Sequence, residues 1–238
     1  MKIASLASVC FSFGLGLSLA CVGGSSDALA RASHKLPLAP KSTLSAVVDP
    51  DPSHDPDNVM FLDLSTGGRV TIRLMPKWAP NHVERIKTLV RQGFYDGLIF
   101  HRVIDGFMAQ TGDPTGTGQG GSKLPDLKAE FNSIPHVRGS VSMARTDAPD
   151  SANSQFFIVF YPHFALDKNY TNFGRVIAGM DAVDAIARGE PPGQPSKIIQ
   201  ASMETDNKPP PAPAASLPVS LPGAVPAALP TTSAPTTP

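Results

Sequence analysis

The chain has 238 residues, of which 20 are Lys or Arg and 20 are Asp or Glu, so its formal net charge is zero. Because no net field draws such a chain toward nucleic acid or anionic lipid, we expect no nucleic-acid partner and no charge-driven membrane contact. The 25 prolines and 20 glycines favour short strands joined by turns.

The first 30 residues have the anatomy of a secretory signal peptide. A charged Lys2 precedes the uncharged apolar residues 3–22, and the Ala-Leu-Ala of residues 28–30 forms a small-x-small cleavage site. The residues before Cys21 loosely resemble a lipoprotein box, so lipid attachment at Cys21 is one alternative and an uncleaved membrane anchor is another. We therefore expect an exported, periplasmic protein whose one route to the membrane is such an anchor.

Two segments without hydrophobic periodicity flank the middle of the chain. Residues 31–57 mix Pro, Ser, Asp and His and are predicted to be a linker. Residues 204–238 are predicted to be a disordered Pro/Ala-rich tail, because most of this segment has too little apolar surface to offset its ordering entropy. The folded domain is expected at residues 58–203, which is near the usual size of a single domain.

Eight short apolar runs and two helical patterns lie in this domain. Alternation of Val70, Ile72 and Leu74 with polar residues predicts a strand with one buried face. Strands are predicted at residues 59–64, 69–74, 98–104, 107–110, 140–144, 155–160, 173–177 and 197–203, and helices at 80–92 and 180–188. These elements predict a mainly β fold, a closed eight-stranded antiparallel barrel capped by two α-helices. A sandwich of two sheets is the alternative that fits the pattern alone.

Polar and aromatic residues recur in these strands where purely apolar residues are expected. In chain order the sequence reads F-H-R-x-I-x-G-F-M-x-Q-x-G-D from residue 100, S-M-A from 142, S-Q-F-F-I from 154 and L-D-x-x-Y-T-x-F-G-R-V from 166. Together these motifs resemble the cyclophilin family of peptidyl-prolyl cis-trans isomerases, and the resemblance covers residues 58–202. The version with Tyr170 and Arg145 looks like the bacterial, exported branch.

The resemblance implies a peptide groove on the outer face of the barrel and assigns residues to it. By position, Arg102 matches the catalytic arginine, and Gln110 matches the glutamine that orients it. The family's apolar pocket for the proline ring corresponds here to Phe107, Met108, Phe157 and Leu166. Tyr170 stands at a position where many relatives have histidine. The residues that contact the peptide on either side of the proline in the family correspond here to Ala144, Arg145, Thr146 and Gln155. The alternatives are structural: the apolar residues belong to the core, and the polar ones are solvated or bonded to backbone.

Amide rotation explains why these residue types suit the assigned activity. The peptide bond resists rotation by ~18–20 kcal/mol, and a twisted amide regains a lone pair on nitrogen that the always-charged Arg102 can stabilise. No bond is broken, so no cofactor or metal is expected, and His101 needs no role as a proton shuttle. Both cysteines, Cys10 and Cys21, lie in the leader. The glycine-rich residues 112–121 lack the ending of a phosphate loop and are predicted to be a surface loop.

The expected partners are proline-containing unfolded or flexible polypeptides, and a monomer is expected. The leading hypothesis is a foldase for exported proteins. A proline-peptide binding module or chaperone with little turnover is the first alternative, and an envelope protein tethered through Cys21 is the second. Ala165 stands where the best-known eukaryotic relatives have a tryptophan that supports tight cyclosporin binding. The resemblance therefore implies weak inhibition by cyclosporin.

Overall fold

The computed structural model describes residues 45–212. The predicted signal peptide at residues 1–30, with Cys21, lies outside the described residues, as do residues 31–44 of the predicted linker and 213–238 of the predicted tail. In the part that is described, no helix is both long enough and apolar enough to cross a bilayer.

Eight antiparallel strands form a single sheet, as the sequence predicts. They are β1 (Val59–Leu64), β2 (Arg69–Leu74), β3 (Arg102–Ile104), β4 (Met108–Thr111), β5 (Ser140–Met143), β6 (Phe156–Val159), β7 (Asn172–Ala178) and β8 (Ile198–Met203). Their order across the sheet is β3-β4-β6-β5-β7-β2-β1-β8. The mainly β fold with eight strands is therefore confirmed.

The prediction of a closed barrel is wrong, because β3 and β8 do not pair and the sheet is a curled, open half-barrel. An isolated bridge between Ile99 and Lys197 lies at this opening. No ladder joins β3 to β8 because β3 faces the connection that precedes β8, where Gly189 forms a bridge with Val103. The facing segment also contains Pro191, Pro192 and Pro195, which have no backbone N–H to donate.

Two α-helices pack on the sheet. Helix α1 (Pro80–Arg91) contacts β7 and β8 through its buried apolar stripe, close to the predicted bounds. Helix α2 (Met180–Asp184) contacts β2 and ends four residues before the predicted limit of residue 188. The chain leaves this helix early because Ala187 donates its N–H to Ser196 Oγ and Gly189 forms a bridge with Val103.

The hydrophobic core fills the concave side of the curled sheet. Side chains from the strands and from α1 form one buried cluster there, and its largest fully buried members include Tyr95, Phe100, Phe156, Phe160 and Phe173. Along each strand successive side chains point to opposite faces, so every second residue of the sheet is left for the convex side. This alternation determines which residues are available for a site.

Arg73 attaches the described part of the predicted linker to the sheet. Its side chain is buried on β2, and its guanidinium donates to the backbone carbonyls of Asp51, His54 and Asp55. On the same side, Trp78 donates its ring N–H to Ser45 O at 3.0 Å. The one tryptophan of the chain therefore lies away from the predicted groove.

Candidate active site

A second apolar cluster lies on the convex face of the sheet, separate from the core. Its buried members are Met108, Phe157, Val159 and Leu166, and its partly exposed rim is Ile104, Phe107, Ala144 and Tyr170. On β6 the alternate residues Phe156 and Ile158 belong to the core instead. The sheet thus separates the predicted proline pocket from the core, although Met108 and Phe157 are only 1% and 4% exposed.

Arg102 lies in the same cross-strand row as this pocket. Strand register pairs Arg102 with Gln110, and Gln110 with Phe157, so the three side chains leave the same face of the sheet. The Arg102 side chain is 43% exposed, and its Nε donates to Glu190 Oε2 at 2.7 Å. The guanidinium is therefore accessible beside an apolar pocket.

Gln110 and Gln155 form a chain of amides that leads away from Arg102. Gln110 Nε2 donates to Gln155 Oε1 at 2.8 Å. Gln155 Nε2 in turn donates to the carbonyls of Gly118 and Gly120, at 3.0 and 2.7 Å. Within residues 45–212 no hydrogen bond joins Gln110 to Arg102, so the pairing of these two rests on strand register alone.

The buried Asp113 carboxylate organises the loop that these amides contact. It accepts hydrogen bonds from the Thr115 hydroxyl and from the backbone N–H groups of Thr115, Thr117, Gly118 and Gly120. Burial acts to raise the pKa of Asp113, but these hydrogen bonds outweigh it and lower the pKa to about 2. A Cβ at Gly120 would overlap the Asp113 carboxylate, which explains the glycine there. These hydrogen bonds therefore hold residues 115–120 in one conformation.

A polar pocket of about 680 Å³ lies between this loop and the apolar cluster. Six of the predicted site residues line it: Gln110, Ala144, Arg145, Thr146, Gln155 and Tyr170. Ala144 and Tyr170 also border the apolar cluster, so the two depressions are contiguous. The structure therefore brings the predicted peptide contacts together beside the predicted proline pocket.

Tyr170 and Arg145 form a stack at the boundary between the two depressions. The Tyr170 ring meets Phe157 edge-on, with 5.6 Å between centroids. The Arg145 guanidinium lies 4.8 Å from the Tyr170 centroid and donates to the carbonyls of Asn169 and Thr146. Arg145 is thus folded onto the protein surface, with these donors already bonded.

A hydrogen-bonded chain of Asp167, His136 and Ser142 lies beside the pocket. His136 donates its Nδ1 proton to Asp167 at 2.8 Å, and its Nε2 accepts from the Ser142 hydroxyl at 2.9 Å. Burial lowers the pKa of His136, against the opposing effect of Asp167. This order of groups is that of a nucleophilic triad, but Ser142 and His136 are fully buried and cannot reach a substrate. Because Ser142 pairs with Phe157 across the sheet, the chain supports the pocket.

Four of these groups were missed from the sequence: Glu190, Asp167, His136 and Ser142. Asp167 and Ser142 lie inside the recognised motifs, but their bonds to His136 depend on tertiary structure. Glu190 is 88 residues from Arg102 and carries no local signal.

The described residues contain no group of three or more His, Cys, Asp and Glu side chains arranged to hold a metal ion. His101, beside Arg102, is buried, and this burial lowers its pKa. It is therefore a neutral ring at physiological pH.

Comparisons with known proteins identify relatives of this chain. Residues 61–203 match the family model described as cyclophilin type peptidyl-prolyl cis-trans isomerase/CLD. A probable peptidyl-prolyl cis-trans isomerase of Brucella suis is 49% identical over 170 residues, which cover 65% of this chain and 86% of the relative. An isomerase of Schizosaccharomyces pombe is 39% identical over 142 residues, which cover 56% of this chain and 92% of the relative.

The chain belongs to the cyclophilin family of peptidyl-prolyl cis-trans isomerases. Among solved structures it is similar to a cyclophilin of Hirschia baltica, with a TM-score of 0.60 and 33% identity over 65% of this chain and 77% of the other. It is also similar to a Cryptosporidium parvum cyclophilin whose structure was determined in the presence of the dipeptide Ala-Pro, with a TM-score of 0.57 and 27% identity over 61% of this chain and 98% of the other. The isomerase activity predicted for this cyclophilin is thereby confirmed.

Replacing Asp113 with Asn tests how much the Asp113 carboxylate stabilises the loop that lines this cyclophilin's polar pocket. Because the folded-state pKa of about 2 is below the ordinary 3.8, the carboxylate stabilises the fold above pH ~4 and loses this effect as the pH falls toward 2. At pH 7 we expect Asp113→Asn to lower the free energy of unfolding by roughly 2 kcal/mol. Urea denaturation should show the difference from wild type shrinking between pH ~4 and ~2.

The control for this measurement is Asp105→Asn, because the Asp105 side chain is 83% exposed. We expect its unfolding free energy to follow that of wild type at every pH. A deficit in Asp113→Asn that stayed constant down to pH ~2 would contradict the assigned role of the carboxylate.

Proposed function

We propose that this cyclophilin accelerates X-Pro rotation without covalent chemistry, with Arg102 donating to the nitrogen of the twisted imide. The proline ring enters the apolar cluster of Phe107, Met108, Phe157 and Leu166. The observation that supports this most directly is the strand register, which sets Arg102 and Phe157 on one face of the sheet with only β4 between their strands. A cation donor and an apolar pocket are thus adjacent.

The physical demand on such a site is modest and specific. Uncatalysed X-Pro rotation takes tens to hundreds of seconds, and the barrier reflects the resonance lost as the bond twists. A donor held in advance beside the imide nitrogen stabilises the twisted state more than either planar isomer. Each ~1.4 kcal/mol of such stabilisation gives a tenfold faster rate.

The polar pocket suits the peptide on either side of the proline. Ala144, Thr146 and Gln155 line it, and it is continuous with the apolar cluster through Ala144 and Tyr170. The related Cryptosporidium parvum protein, studied in the presence of Ala-Pro, supports a proline-containing peptide as the ligand. We infer that flexible, proline-containing polypeptides bind here in extended form, and that Tyr170 divides the ring pocket from the peptide pocket.

Replacing Arg102 with Ala tests the catalytic role. We expect kcat/KM on a proline tetrapeptide to fall by roughly a hundredfold, because the donor to the imide nitrogen is lost. Thermal stability should stay near that of wild type, since the Arg102 side chain is 43% exposed.

The matched control is Arg91→Ala, an arginine at the exposed end of α1 whose contact with Asp206 spans 3.8 Å. It should keep full activity. If Arg102→Ala retained wild-type turnover, or if wild type bound the peptide without accelerating rotation, the protein would be a binding module and the proposal would fail.

Ala165 generates a prediction about inhibition. This residue is exposed next to Leu166, where tryptophan in the best-known eukaryotic relatives supports tight cyclosporin binding. We expect cyclosporin to inhibit wild type weakly and Ala165→Trp clearly more tightly. In the absence of inhibitor, the turnover of Ala165→Trp should equal that of wild type. Inhibition constants measured on the tetrapeptide assay decide this, and a submicromolar constant for wild type would contradict it.

We further propose that the protein belongs to the bacterial exported branch and acts as a monomeric foldase in the periplasm. The support is the leader sequence, with its charged start, apolar run and Ala-Leu-Ala at residues 28–30. Proteins that fold after export contain X-Pro bonds whose isomerisation is slow enough to limit folding.

The mass of the mature protein, isolated from cells, separates the two modes of export. Cleavage after residue 30 should give a soluble chain that begins at Arg31, whereas lipid attachment should give a heavier, membrane-bound chain that begins at Cys21. We expect the soluble form. Recovery of the full chain, with Met1 still present, would contradict export by cleavage.

A further inference from the structure

We propose that Glu190 is a positioning residue for isomerisation, which holds the Arg102 guanidinium in its working orientation. This inference rests on the proposed role of Arg102. It assigns to a carboxylate of the α2–β8 connection the task that the family resemblance gives to Gln110.

The contact is direct and uses a single donor of the guanidinium. Arg102 Nε donates to Glu190 Oε2 at 2.7 Å, a distance typical of a charge-assisted hydrogen bond. Arginine presents five N–H donors in a planar fork, so bonding at Nε leaves the terminal nitrogens free for a substrate. The carboxylate fixes the plane of the group without occupying the donors that face outward.

The backbone before Glu190 is fixed against the strand that carries Arg102. Val103 donates its N–H to Gly189 O at 2.8 Å, and Gly189 donates to Val103 O at 2.9 Å. The connection thus adds a one-residue bridge to the open edge of β3. Because Glu190 follows Gly189 and Arg102 precedes Val103, this bridge sets the two side chains next to each other.

A second ion pair holds the same connection at the other end of β3. Arg188 Nε lies 3.2 Å from Asp105 Oδ1, and the Arg188 guanidinium lies 4.2 Å from the centroid of Phe160. The two backbone hydrogen bonds between Gly189 and Val103 keep the Glu190 carboxylate in place when no substrate is bound, and the exposed Arg188–Asp105 pair is a weaker attachment at the far end of β3.

Positioning matters because, among the described residues, Glu190 is the one side chain that holds the Arg102 guanidinium by a hydrogen bond. Gln110 Nε2 donates to Gln155 Oε1, and within residues 45–212 the Gln110 Oε1, the atom able to accept from a guanidinium, makes no hydrogen bond with Arg102. An arginine side chain that is 43% exposed loses considerable rotamer entropy when it is held in one geometry. Glu190 already restricts the Arg102 side chain in the free enzyme. Less rotamer entropy is therefore lost when the bound peptide bond rotates.

The test compares Glu190→Ala, Glu190→Gln and the matched control Asp105→Ala on the proline tetrapeptide. In Glu190→Ala we expect kcat/KM to fall roughly threefold to fivefold through kcat, because exposed ion pairs have modest energies. Glu190→Gln should recover activity to within about twofold of wild type, since its amide oxygen still accepts from Nε. Asp105→Ala breaks an ion pair of the same connection without touching Arg102, and should match wild type.

Two further readouts distinguish positioning from a general effect on structure. The 1H–15N signal of the Arg102 Nε–H should be sharp in wild type and Glu190→Gln, and should broaden or shift in Glu190→Ala. Raising the salt from about 0.05 to about 1 M should lower wild-type kcat no further than that of Glu190→Gln and leave Glu190→Ala unchanged, because salt screens exposed charges but does not remove the hydrogen bond to Nε.

The outcomes separate this inference from the proposed function. Wild-type kcat/KM in Glu190→Ala, or an equal loss in Asp105→Ala, would overturn the role of Glu190 while leaving that of Arg102 intact. Full activity in Arg102→Ala would instead overturn the proposed function, and this inference with it. A kcat loss confined to Glu190→Ala, with recovery in Glu190→Gln, supports the proposal.

Discussion

The alternation of side chains along β4 and β6 is the constraint on which the site depends. Phe156 and Ile158 face the core, while Phe157 and Val159, between and after them in sequence, form the outer cluster. A slip of one residue in register would move the ring pocket into the core and the core side chains into solvent. The same contacts that hold the sheet together therefore also keep the groove on its outer face.

Around this groove, polar networks hold the surface in place before a peptide arrives. The Asp113 carboxylate fixes the loop at residues 115–120, and Gln155 connects that loop to Gln110. On the other side, His136 connects Ser142, the cross-strand neighbour of Phe157, to Asp167, which follows Leu166. An enzyme that forms no covalent bond depends on such fixed geometry, because its whole effect comes from contacts that already match the twisted bond.

The sequence was sufficient for the features that depend on local patterns. Alternation and short apolar runs located all eight strands, and the resemblance of the motifs to the cyclophilin family assigned Arg102 and Gln110, which strand register places side by side. It was insufficient where distant segments meet. The opening of the sheet and the contact of Glu190 with Arg102 both depend on how the chain leaves α2, which no periodicity encodes. The helical pattern continued to residue 188, whereas a bridge to β3 ended the helix at Asp184.

The open edges of the half-barrel have a consequence for contacts with other polypeptides. Unfolded chains readily add themselves as an extra strand to any exposed row of backbone groups. In the described structure Gly189 forms hydrogen bonds with both the backbone N–H and the C=O of Val103 on one edge. On the other edge, the N–H of Ile198 donates to Leu98 O, and that of Ala201 donates to the Asp96 carboxylate. These contacts occupy backbone groups on both edges of the described sheet, so fewer of them remain for another extended polypeptide to pair with.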